Sequence, residues 1–122
     1  MAVEIYGYCS DALSSYLNFK RNVDQIFLLP NQKTTLVNVC DIIIKNFDAI
    51  KALTNGYIDL EPQDYDIIIM LAESLKLSVC NYLKSSINEN LKKHFQKTLI
   101  CCDVIKKISE LQIWMVFNPL DM

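Results

Sequence analysis

Five cysteines, one histidine and a scatter of carboxylates are the groups in this chain that could carry chemistry. Metal binding needs thiolates and imidazoles that converge, typically as Cys-x-x-Cys or paired His spacings. Cys9, Cys40, Cys80, Cys101 and Cys102 make an odd set without such a spacing, and His94 is the only histidine. Most of the cysteines sit inside apolar helical patterns, where they read as small buried hydrophobes in a reducing compartment. Acid–base work needs two carboxylates on one site. Asp64 and Asp66 are two residues apart and point to different sides of a helix, and Glu73 with Asp59 is the other pairing. Asp64 is better explained as a first-turn residue, where negative charge is favoured. No serine lies in a Gly-x-Ser-x-Gly turn that would expose a nucleophile. His94, between Lys92-Lys93 and Phe95, reads as a surface helix residue. The expectation is a chain without catalytic, cofactor or metal residues.

Composition agrees with that reading. At 122 residues, residues 1–122 form one compact domain, and 52% hydrophobic residues with only 2 glycines argue against long loops and phosphate cradles. The apolar runs fall short of the roughly 20 residues of a spanning helix. The start MAVEIYGYCSD lacks the basic head and apolar middle of a secretion signal, so an intracellular location, cytoplasmic or nuclear, is expected. Between Lys84 and Lys107 six lysines face two acids, a local +4 against −6 for the remainder. That stretch has no arginine and no recognition-helix motif, so a solvated face is the expected reading and nucleic acid is not an expected partner.

The elements follow from periodicity. Val3 and Ile5 alternate like a short strand, after which Ser10 or Asp11 could cap a short helix with Leu13, Tyr16 and Leu17 on one face. Ile26-Phe27-Leu28-Leu29, stopped by Pro30, reads as a second strand. From Thr34 or Thr35 a helix carries Leu36, Cys40, Ile43, Phe47 and Ile50 in one stripe, and Asn55-Gly56 closes it as a left-handed cap. Tyr57 to Leu60 alternates like a brief strand, Pro62 suits a first helical turn, and Ile67 to Leu71 is apolar all round. An amphipathic helix through Val79, Tyr82 and Leu91 weakens at Asn88-Glu89-Asn90. The pattern resumes at Phe95, Leu99, Cys102 and Ile105 and ends in the apolar segment Leu111 to Phe117.

Four of these segments carry a resemblance. Ile26 to Asn31, Leu36-Val37-Asn38-Val39-Cys40, Tyr57 to Leu60 and Ala72-Glu73-Ser74-Leu75-Lys76-Leu77 look like the superfamily of BTB/POZ domains, elongin C and the Skp adaptors, with a shortened N-terminus. The resemblance implies an α+β, mostly helical domain with a small sheet and a helical C-terminus. It further implies a non-enzymatic adaptor, a component or mimic of a cullin-type ubiquitin ligase, with a cullin, F-box or SOCS-box protein as partner. A partner helix would dock in a groove lined by Tyr65, Leu75, Leu77, Trp114, Met115 and Phe117. The competing reading folds Trp114 and Phe117 back into the core.

Two other classes stay open. The richness in Ile, Asn, Lys and Tyr, with stacked amphipathic helices, also resembles the poxvirus Bcl-like inhibitors of apoptosis or innate signalling, which implies an all-α bundle and a viral source. A small structural or assembly subunit would be a homo-oligomer. A sheet at Ile26–Leu29 and Ile58–Leu60 discriminates the first reading from the second.

Overall fold

The computed structural model describes residues 2–56, 60–85 and 89–118. Four helices follow one another: α1 (Ala2–Arg21), α2 (Pro30–Thr54), α3 (Pro62–Leu83) and α4 (Glu89–Phe117), with a single 3-10 turn at Val23–Gln25 between the first two. Among the described residues there is no strand.

Each helix buries one stripe, and the stripes share a spacing. In α2 the buried positions are Leu36, Cys40, Ile43, Phe47, Ile50 and Thr54. In α3 they are Tyr65, Ile68, Ala72, Leu75, Val79 and Tyr82, and in α4 Leu91, Phe95, Thr98, Cys102, Ile105 and Ser109. Steps of three and four residues alternate along all three. That average of 3.5 keeps a stripe facing its neighbours over many turns, the seam of an antiparallel bundle. The polar members stay satisfied locally: Thr54 donates to the Lys51 carbonyl at 3.0 Å and Ser109 to the Ile105 carbonyl at 2.8 Å.

Cross-helix pairs set the directions. Lys76 bonds Asp103 at 2.8 Å and Lys106 bonds Glu73 at 3.0 Å, so residue numbers rise in α3 as they fall in α4. Lys20 with Asp41, and Lys51 over the Tyr6 ring, run α1 against α2 in the same sense. His94 stacks on Phe19 and Thr98 meets Tyr16, which makes α4 antiparallel to α1 as well. The chain is an up-and-down four-helix bundle.

The α+β expectation is therefore corrected to all-α. The Ile26–Leu29 strand does not form. Ile26 is extended, but Phe27 and Leu29 are exposed, and among the described residues no second strand lies alongside to take their backbone hydrogen bonds. The companion strand expected at Ile58–Leu60 lies largely outside the described residues. Val3 and Ile5 belong to α1, which also absorbs Ser10 and Asp11 as interior positions rather than a cap.

Local punctuation acts as expected at other ends. Gly56 has φ +90°, the left-handed conformation that suits glycine after a helix. Pro62 opens α3, and Asp64 accepts the Glu61 N–H at 3.1 Å, a capping role for that carboxylate. α2 starts at Pro30 rather than Thr34, with Gln32 accepting the Leu29 N–H at 3.0 Å. Val79 and Tyr82 lie on α3 and Leu91 on α4, so the single amphipathic helix expected through them is divided between two.

Candidate functional site

Two sets of groups could matter: a cleft between α1 and α4, and apolar surface on α3 and α4. The cleft, about 320 Å³, is lined by Tyr8, Asp11, Ser15, Tyr16, Lys97 and Cys101 among others. The Tyr16 and Thr98 hydroxyls share a hydrogen bond, and the Thr98 hydroxyl also lies within donating distance of the His94 carbonyl. The His94 ring lies 4.9 Å from Phe19, stacked at 9°, and 4.8 Å from Tyr16. Its Nε2 is buried without a hydrogen bond. Burial, and then the nearby Lys97, push the His94 pKa down, so the ring is held neutral. His94 is thus an inter-helix packing residue rather than the surface residue expected from its lysine neighbours.

The thiols are correspondingly quiet. Burial pushes Cys9 and Cys102 up to about 12, and burial with Asp11 pushes Cys101 up to about 11. A thiol in that range is almost wholly protonated at neutral pH and is a poor nucleophile. These cysteines fill helix interfaces. Among the described residues no three His, Cys, Asp or Glu side chains converge as a metal site.

The apolar surface is more informative. Stepping along the ion-paired register of α3 and α4 brings the end of α4 level with Pro62, the first residue of α3. Stepping along the α1–α4 pairs brings Ala2 level with about Gln112. The last turn of α4 therefore extends past the first described turn of α1. Its residues are all exposed: Trp114 by 49%, Met115 by 44%, Val116 by 55% and Phe117 by 70%. Successive helical residues are about 100° apart, so four in a row look to every side of the axis. The turn projects past α1 but still runs beside the start of α3, and each of its four side chains keeps about half or more of its surface in water.

This places each residue expected at a partner groove. Trp114, Met115 and Phe117 are together on the exposed turn. Tyr65 and Leu75 are buried in the core and present no surface, while Leu77 is 64% exposed on the opposite side of α3 from Leu75. The six residues thus do not line one groove. Two exposed side chains escaped the sequence reading, Ile67 and Met70, which continue the Leu77 stripe along the outside of α3. The signal was present in their spacing of three and seven residues, masked because Ile67 to Leu71 is apolar at every position.

The lysines of α4 divide. Lys106 is held by Glu73 and, at 3.9 Å, by Glu110, whereas Lys92, Lys93 and Lys97 near the start make no salt bridge among the described residues. None of the described helices is long and apolar enough to cross a membrane. No protein-family model, no curated protein and no solved structure matches this chain.

Proposed function

We propose that the chain is a non-enzymatic protein–protein interaction module that captures a partner through the last turn of α4. One observation carries this reading: Trp114, Met115, Val116 and Phe117 form an uninterrupted, exposed apolar turn at the end of α4. Full burial of such a side chain contributes roughly 1.5–3 kcal/mol, and at about half exposure each of these forgoes only part of that. Aromatic anchors of this kind supply most of the energy where a helix or groove is recognised.

The cullin-adaptor version of this role implied a small sheet, and the all-α fold counts against it. The all-helical architecture favours the second version, an inhibitor that engages signalling or apoptosis proteins through helical segments. The test is capture with and without Trp114→Ala plus Phe117→Ala. Loss of a defined partner, with the helical circular dichroism spectrum and melting temperature unchanged, supports the reading. Retention of the same partner by the double variant overturns it. Recovery of a cullin, F-box or SOCS-box protein favours the ligase role, and recovery of proteins with BH3-type helices favours the inhibitor.

A further inference from the structure

We infer that the outer face of α3 is a self-association surface, on which a second copy of this chain packs its own α3 antiparallel. Ile67, Met70 and Leu77 are exposed by 42%, 66% and 64%, and with Ser74 they form one stripe along the solvent side of the helix. About Ser74, Met70 stands four residues before and Leu77 three after, while Ile67, seven before, has the exposed Asn81 as its counterpart seven after. Antiparallel pairing about Ser74 sets Met70 of each copy beside Leu77 of the other. The small serine at the crossing lets two helix axes approach to the usual separation of about 8–10 Å.

Charge supports the same occupant. Asp66 lies beside the stripe near the start of α3, and Lys84 lies on the same flank at its end. Neither makes a salt bridge among the described residues. A perpendicular two-fold axis keeps that flank on one side and reverses the helix, so Asp66 of one copy comes within two residues of Lys84 of the other, about 3 Å along the axis and within reach of the lysine side chain, twice per dimer. Glu73, near the axis, would bring like charges together, but Lys106 holds it at 3.0 Å and compensates it within each copy. The reversed charges are what a second copy supplies by symmetry. A single helix-on-helix contact sits at the small end of stable interfaces, about 1,200 Å² in total, the class of weak and transient associations.

Sedimentation equilibrium from micromolar to submillimolar concentration tests this. The unaltered chain is expected to shift from one to two chain masses, and Leu77→Lys or Met70→Lys to weaken that association by about tenfold or more. Both positions are exposed, so circular dichroism should not change; Ser74→Arg serves if either variant fails to fold. Asp66→Lys and Lys84→Asp should each weaken association, and the two together should restore it, since the swapped pair is again complementary. A chain that stays monomeric throughout overturns the proposal. So does a dimer indifferent to Leu77→Lys, or one lost only on Trp114→Ala with Phe117→Ala, which would place self-association on α4. The turn at the end of α4 plays no part in this pairing, so failure here leaves the partner-capture reading untouched.

Discussion

α2 and α3 bury stripes of the same length and spacing, yet their outer faces differ. Outside α2 lie Asn38, Asp41, Lys45 and Asp48, with Ile42 the one large exposed apolar residue, whereas outside α3 lie Ile67, Met70 and Leu77. Folding needs one apolar face per helix, as α2 shows. The surplus on α3 contributes little to the packing of one bundle, and it is the surface that the proposed self-association would cover. The end of α4 repeats the lesson at the scale of a whole turn.

The sharpest way to break that comparison is within α3 itself. Leu75→Ala, at a fully buried position, should cost about 2–5 kcal/mol in urea unfolding, because it removes contacts and leaves a cavity. Leu77→Ala should cost no more than about 0.5 kcal/mol in the monomer. At Leu77 any loss should grow with protein concentration, the signature of lost association, while the loss at Leu75 should not. Equal, concentration-independent losses at both would show that the outer face also belongs to the folding core.

A smaller effect should come from the α1–α4 interface. His94 has a folded-state pKa below its unfolded value, so the unfolded chain binds the proton first as pH falls. Stability is therefore intact above the unfolded value near 6.5 and declines below it, until pH passes the folded value. One group cannot exceed a slope of about 1.36 kcal/mol per pH unit. His94→Gln should flatten that limb in denaturation curves recorded between neutral and mildly acidic pH. An unchanged slope would place the acid sensitivity elsewhere.

The smallest change is expected at the α3–α4 ion pair. Lys76 and Asp103 are both nearly half exposed, where such pairs contribute about 0–1 kcal/mol. Asp103→Asn should lower stability by no more than that, and the difference should shrink in high salt. A salt-independent loss well above that range would mean that the pair positions the outer face of α3 rather than decorating it.

Much of the bundle was legible because helical periodicity accumulates over many turns. Leu36, Cys40, Ile43, Phe47 and Ile50 were identified as one stripe, and all five are buried. Gly56 and Pro62 mark ends through their own backbone preferences, which no neighbour needs to supply. Ile26 to Leu29 was misread for the opposite reason. Four apolar residues before a proline look alike as a strand or a linker, and only a partner strand could have settled the matter. The same holds at Val3 and Ile5, where two alternating residues are too few to separate a strand from the first turn of a helix.

The candidate surfaces were half legible. Composition and spacing alone determined that this chain builds long amphipathic helices, that it has more apolar surface than one face of each requires, and that aromatic residues crowd its last helix. Tertiary structure decided which of that surface is spent on the core. Tyr65 and Leu75 face inward because the α3 stripe is centred on Ile68, Ala72 and Val79, whereas Trp114 and Phe117 stand out because α4 outruns the turn of α1 beside it. Exposure at a helix end depends on the relative lengths and register of neighbouring helices, and those are set by contacts between residues far apart in the chain.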